Sequence, residues 1–445
     1  MSRRITSQIF DTLLDWAPRT NDADGPDVLA PRILRAHPRV ADDERTWTLE
    51  LRRDAQARRF AADTCLQGQA RPVRASDVAA SLLRITPGRH AAYALLAGRI
   101  TGLDAYHAAH HDQPDAPPPA GIAADDAAHT VTLHLTRPQP ELPALLANPM
   151  LAIVPPECVA HYDGRDAAHP PFARHPIGSG DFVVDHVQTE LPRTVALTRS
   201  PAQPPQPGPA PECPWLPCED RVVFSHFADP EPALRSFQAG ELAALVPGQS
   251  QFAEVVADPA SGRLVADAVP PGTQLRRFPT LATTMLVFRM RDPEIGQHAD
   301  PLVDAEHRAL RRAIALAFDA IRYQRVIRND AWAVQRARVV PRTLGGALDD
   351  IVLHRFAPPA ADLEQARQVL AAAGVTGPRT LRYWTDIGEG EQQEAAILRD
   401  ALRPLDITLA VTHRAFYLDA VLSGSSDAQL FSLRYDADFH DAASF

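Results

Sequence analysis

Cysteine is scarce in this chain: Cys65, Cys158, Cys213 and Cys218 are the only four among 445 residues. That is too few for a disulfide scaffold of the kind small secreted domains rely on. Cys213 and Cys218 lie close together in a proline-rich stretch, near enough to pair in an oxidising compartment. A cysteine-type zinc site needs two such pairs, or cysteine with histidine at ligand spacing, and the sequence has neither. Also missing is any apolar run near the roughly 20 residues of a membrane span. Met1-Ser-Arg-Arg-Ile-Thr carries charge with no apolar stretch behind it, so no signal peptide is expected within these residues. Basic excess is absent: the net charge is −10 and the pI about 5.9, which excludes a phosphate-binding footprint and makes nucleic acid an unexpected partner. Gly-x-Ser-x-Gly, P-loop, Gly-x-Gly-x-x-Gly and His-Glu-x-x-His motifs do not occur, and nothing pairs a nucleophile with a base. An enzyme is not expected.

What is present points to a large globular protein. Apolar residues make up 45% of the chain, and its length calls for two or three structural units. The 42 prolines cluster at 114–119, 137–156 and 201–217 and mark loops or linkers. Pro201 to Pro211 has almost no periodic apolar pattern and reads as an extended, solvated excursion.

Between these breaks the pattern alternates strands and helices. Gln8 to Trp16 reads as a short helix or turn running into a strand, and Trp47 to Arg52 alternates at strand period. Ser76 is the expected cap of a helix whose Val78, Leu82 and Ile85 share one face. Thr130 to Leu135 reads as an edge-like strand stopped before Pro138. Asp304 is expected to precede a helix with a stripe of Ala309, Leu310, Ala313, Ile314, Ala317 and Phe318. Asp362 should cap another that ends at Gly374. Strand 381–384, helix 392–403 and strands 407–411 and 429–433 complete an α/β pattern.

The most informative segment is His175-Pro176-Ile177-Gly178-Ser179-Gly180-Asp181-Phe182, a glycine-bearing loop that enters a strand. It resembles the Pro-Val-Gly-Thr-Gly-Pro-Phe signature of the family 5 extracellular solute-binding proteins, the receptors of peptide and nickel ABC importers. Other segments repeat that family's order: Gln8 to Leu14, Trp47 to Arg52, Ala75 to Val78, Pro214 to Leu216, Phe237 to Leu242, Leu310 to Asp319 and the helix after Asp362. The resemblance implies an α/β, two-lobed periplasmic-binding-protein-like fold with an extra subdomain in the first lobe. Residues 1–20 and 149–285 would build lobe I, 21–148 its inserted subdomain, and 286–445 a lobe II that looks incomplete, after a hinge-like strand at 283–290. Both ends look truncated against the family.

The implied function is capture of a peptide or other amine-bearing solute between two lobes by hinge closure, for an ABC permease in the membrane. The expected setting is periplasmic or extracytoplasmic, and the expected state a monomer without cofactor or nucleic acid. Tyr435 to Phe445 resembles the family's Trp-x-Ala-Asp-Tyr-x-Asp-Pro-x-x-Phe, which places Asp438 on the carboxylate that grips a ligand's α-ammonium. Tyr435, Phe439 and Trp384 complete the implied ligand set. No arginine lies between Trp384 and Glu391, so the acids there would suit a cationic ligand. His107, His110 and His111 stand at helical spacing, and His440 lies between Asp438 and Asp441, yet their polar surroundings make them solvated side chains, and no metal is expected. The alternative from another class is the ligand-sensing module of a transcription regulator related to these proteins.

Overall fold

The computed structural model describes residues 3–16, 28–54, 56–87, 90–109, 117–163, 171–203, 219–259, 261–276, 282–328 and 360–436. The chain divides into two compact units, one built chiefly on Met1–Ala228 and the other on Asp229–Ala437. Each is taken by itself below.

In the first unit α1 (Arg3–Ile9) leads into β1 (Leu14–Trp16), which pairs antiparallel with β2 (Leu29–Pro31). Strands β3 (Arg39–Val40) and β4 (Thr46–Glu50) form one antiparallel pair, β5 (Arg59–Phe60) and β6 (Arg71–Pro72) another. Helices α2 (Ala75–Leu83) and α3 (Leu103–Ala109) precede β7 (Ile122–Asp125) and β8 (Thr130–His134). Four of these strands make one sheet in the order β3-β4-β8-β7. Trp47 and Leu49 of β4 face Leu133 and Val131 of β8, and all four are buried, as the period of two requires. Strand β8 is therefore interior, not an edge. Its alternating Thr130, Thr132 and His134 mark one less buried face, while both of its backbone sides are paired.

Ser76 is not the cap of α2. The helix starts at Ala75, and Ser76 lies in the first turn with its N–H and hydroxyl donating to Asp126 at 2.8 and 2.7 Å. Asp77 supplies the terminal acceptor instead, taking the Arg74 N–H at 2.8 Å while Arg71 holds both its oxygens at 2.7 and 2.8 Å. Val78, Leu82 and Ile85 are buried in the main core of the unit. After α4 (Leu142–Leu146) and α5 (Pro156–Asp163), β9 (Phe182–Gln188), β10 (Arg193–Arg199) and β11 (Arg221–His226) form a three-stranded antiparallel sheet with β10 in the middle.

The second unit opens with α6 (Pro230–Gln238), α7 (Gln249–Val255) and the short pair β12 (Val256–Asp258) and β13 (Arg263–Leu264). Its main body runs β14 (Ala282–Phe288), α8 (Pro301–Ala317), α9 (Ala320–Arg328), α10 (Leu363–Ala372), β15 (Arg379–Thr385), α11 (Glu389–Leu402), β16 (Ile407–His413), α12 (Tyr417–Leu422) and β17 (Leu430–Asp436). The sheet order is β14-β17-β15-β16, with β15 parallel to both β16 and β17 and β14 antiparallel to β17. The chain thus crosses β15→β16 in one direction and β16→β17 in the other. Right-handed crossovers of opposite direction put their helices on opposite faces. Residues of α8, α10 and α11 pack with Leu381, Tyr383 and Leu409 on one face, and α12 packs with Trp384, Phe431 and Leu433 on the other.

Helix α8 begins earlier than expected. Asp300 caps it, accepting the Leu302 N–H at 2.9 Å, Pro301 takes the first position, where a missing N–H is harmless, and Asp304 lies inside the first turn. Asp362 caps α10 as expected, accepting the Gln365 N–H at 2.9 Å, and Gly374 ends it at φ +70°. Among the described residues no helix is long and apolar enough to cross a membrane.

Candidate functional site

The signature loop is clamped from below by charge. Arg58 donates to Asp11 Oδ2 at 2.7 Å, to Asp181 Oδ1 at 2.8 Å and to the Ser179 carbonyl at 2.8 Å. Arg32 bridges the same two carboxylates, reaching Asp11 Oδ1 at 2.8 Å and Asp181 Oδ2 at 2.6 Å. Arg58 and Asp11 are only 3% and 4% exposed. Two arginines and two carboxylates so arranged satisfy one another in a place where a lone charge would be costly. Burial pushes the Asp181 carboxyl up, but Arg32 and Arg58 outweigh it and hold the group below the usual range. The glycines of the loop are required by closeness of approach. A Cβ on Gly178 would run into Ile9 O, and one on Gly180 into Gln8 O and Ile9 O. The Gly180 N–H donates to Ile9 O at 2.7 Å, so α1 and the loop share a backbone bond no side chain could enter.

At the start of that loop His175 Nε2 lies 2.9 Å from Asp63 Oδ2. Asp63 also accepts from Tyr162 OH at 2.7 Å and from the Cys65 N–H at 3.0 Å, which caps a 3₁₀ turn at Thr64–Leu66. Burial opposes the charge, and the hydrogen bonds from His175, Tyr162 and Cys65 overcome it, so Asp63 stays ionised below the usual carboxylate range. Cys65 is joined to Cys158 of α5 by a disulfide with Cα atoms 5.0 Å apart. The sequence suggested a pair at Cys213 and Cys218, which lie outside the described residues. Donor atoms of Asp63, Cys65 and Cys158 all fall within 4.8 Å of one another.

In the second unit the carboxyl ends of β15 and β16 lie side by side, the position where open parallel sheets present ligand sites. The Arg414 N–H donates to Thr385 O at 3.0 Å, and His413 Nδ1 lies 3.0 Å from Asp386 O, which ties the two loops together. Asp386 is exposed, and Glu391 stands in the first turn of α11. Glu394, one turn further, is buried and accepts from Tyr383 OH and from Tyr323 OH, the latter at 3.0 Å. The phenol of Tyr417 reports their field: burial first, then Glu394, Asp386 and Glu391, push its pKa up to about 12. Asp386 and Glu391 bring acid to this end of the sheet, and the Arg414 guanidinium stands beside them.

Trp384 stands at the end of β15, half-buried, with its indole N–H donating to Asp427 Oδ1 at 2.9 Å. The Arg414 guanidinium lies 5.8 Å from the centre of its ring. No window on the sequence around Trp384 contains that arginine, because it arrives from the next strand. Tyr435 is half-buried near the end of β17, opposite Thr283. Trp384 pairs with Phe431, so Tyr435 lies four residues further along the sheet, about 13 Å away at strand rise. The two share a face and do not meet. Asp438 and Phe439 lie outside the described residues, as do His110, His111 and His440. His107 is buried in α3, edge-on to Tyr93 and Tyr106 at 5.4 Å each, and burial lowers its pKa against the pull of Asp104.

A comparison with curated proteins finds no match. Among solved structures, the ABC transporter-associated periplasmic binding protein DppA of Helicobacter pylori, in complex with the peptide STSA, superposes with a TM-score of 0.69 at 17% identity over 98% of this chain and 74% of its own. The murein tripeptide binding protein MppA of Escherichia coli gives 0.67 at 19% identity over 99% and 76%. The periplasmic binding protein AgaA of A. tumefaciens, in complex with agropinic acid, gives 0.67 at 19% over 99% and 74%. These likenesses establish the two-lobed periplasmic-binding-protein fold. The sequence profile of the bacterial extracellular solute-binding proteins, family 5 (middle), matches residues 28–445, and nothing in that match supports a transcription regulator's sensor module. With the profile covering nearly the whole chain and the fold agreeing with it, the protein belongs to the family 5 bacterial extracellular solute-binding proteins.

Proposed function

We propose that this chain is the solute receptor of an ABC importer, a monomer that captures a peptide or other amine-bearing solute outside the cytoplasm and delivers it to a membrane permease. The single observation that carries the reading is the family match over residues 28–445. Peptide complexes among the structural relatives support the ligand class, and the agropinic acid complex keeps other small solutes within it. Asp386 and Glu391 at the β15 carboxyl end would suit a positively charged group of the ligand, and Arg414 beside them a negative one. In this reading Asp438 takes the ligand's ammonium group, Tyr435 and Phe439 flank it in the chain, Trp384 meets a more distant part of the solute, and no chemistry is performed on the solute.

Calorimetric titration of a peptide library tests the proposal. Asp438→Asn should weaken binding by about 1.5–3 kcal/mol, the range for a hydrogen bond to a charged group, with the fold unchanged. Equal affinity of mutant and wild type for every ligand would remove Asp438 from the site. A wild-type protein that binds no peptide and no small amine would remove the ligand class.

A further inference from the structure

We propose that Asp63, Cys65 and Cys158 form a redox-gated binding site for a zinc-type divalent cation, closed while the disulfide is intact and opened by reduction. Asp63 and Cys65 belong to one tight 3₁₀ turn, and Cys158 is presented by the first turn of α5, fully buried. Their donor atoms lie within 4.8 Å of one another. One tetrahedral zinc ion needs donors about 3.5–3.8 Å apart, from bond lengths of about 2.3 Å to sulfur and 2.0–2.2 Å to oxygen. The carboxylate need close by no more than about 1 Å, and the two sulfurs, once their bond is broken, must part to that spacing.

The carboxylate is prepared as a ligand. Tyr162 OH at 2.7 Å and His175 Nε2 at 2.9 Å hold its two oxygens, the kind of outer contact that orients a metal-bound carboxylate. A water completes the fourth position. With the disulfide closed the sulfurs are bound to each other and cannot serve as thiolates. A dithiol reductant breaks the S–S bond, giving the pair two electrons and two protons and closing its own disulfide. The incoming cation then displaces both protons and binds two thiolates. The turn at Thr64–Leu66 and α5 thereby stay cross-linked in either redox state, by sulfur or by metal.

The test uses the full chain carrying Cys213→Ser and Cys218→Ser, so that only this pair supplies thiols. A trialkylphosphine reduces it, taking the oxygen of one water while that water's two protons go to the sulfurs. Cobalt(II) is the probe. One equivalent should bind with a thiolate-to-cobalt charge-transfer band in the near ultraviolet, displaced by zinc(II), and the oxidised protein should show no band. His175→Gln should weaken cobalt binding about 10-fold or more through loss of carboxylate orientation. Reduction with cobalt already present covers the case in which the metal-free reduced form unfolds, and far-ultraviolet circular dichroism follows the fold throughout. No band under either order of addition overturns the proposal, as does a band that survives Cys65→Ser with Cys158→Ser.

Discussion

Replacing Arg58 by methionine should strongly destabilise the first unit. The guanidinium is 3% exposed and holds Asp11, Asp181 and the Ser179 carbonyl at 2.7–2.8 Å. Without it, Arg32 alone faces two carboxylates, one of them 4% exposed. Breaking a buried pair from one side costs about 3–5 kcal/mol, because it leaves uncompensated charge in the interior. For a unit of this size each kcal/mol moves the melting temperature by about 2–4 °C, so the shift should be about 6–20 °C. The pH dependence adds a second check. Asp181 is held below its ordinary range, so its contribution is present above about pH 4, the unfolded value, and is lost as pH falls through the lower folded one. The variant keeps only one of the two cations responsible. The gap between wild type and variant should therefore be widest near neutrality and narrow below about pH 4. Adding Asp11→Asn to the variant should cost less than it does in the wild type, because it removes a charge already stranded. Scanning calorimetry can separate transitions of two units, and only the one belonging to the first should move. A shift under about 2 °C at pH 7, or a gap that grows in acid, would refute the reasoning.

Gly178→Ala should destabilise the same unit by about 1–3 kcal/mol or more, since its Cβ meets backbone oxygen of α1 that cannot turn aside; chemical denaturation measures it, and a neutral effect would show that α1 can retreat. Cys65→Ser with Cys158→Ser opens a link between residues 93 apart and should cost about 2–5 kcal/mol in oxidised protein, read from the same denaturation curves against wild type with and without reductant. His107 has its pKa lowered by burial, so the folded state resists a proton the unfolded state accepts; stability should fall as pH drops below about 6.5, and His107→Phe should flatten that slope in melts from pH 7.5 to 5. An unchanged slope would mean another group carries it.

Much of the fold was legible because local order has a period. Alternation at Trp47 to Leu49 and Val131 to Leu133, the stripe of α8 and the Asp362 cap each follow from a few neighbouring residues, and the structure has them where the pattern points. Where the pattern misled, a longer-range partner had intervened. Ser76 looked like a cap until Asp126 took its hydrogen bonds and Arg71 fastened Asp77 in place. Thr130 to Leu135 alternates as an edge strand does, and only the pairing of β4 on one side and β7 on the other makes it interior.

The sequence by itself determined the class of protein: an α/β chain whose ordered segments resemble one binding-protein family, with too little cysteine, basic charge or catalytic signature for the other classes. Periodicities of 2.0 and 3.6 residues and the order of short motifs are properties of the chain itself, readable without a third dimension. Only the tertiary structure decided which distant residues meet. It joined Cys65 to Cys158, laid Arg414 over Trp384, buried His107 and gathered Asp11, Arg32, Arg58 and Asp181 beneath the signature loop. It also supplied the reason for Gly178 and Gly180, which is the carbonyl oxygens of α1 pressing against them. Such pairings arise from chain closure over tens to hundreds of residues, where spacing carries no signal and burial alone makes an unpaired charge or thiol costly.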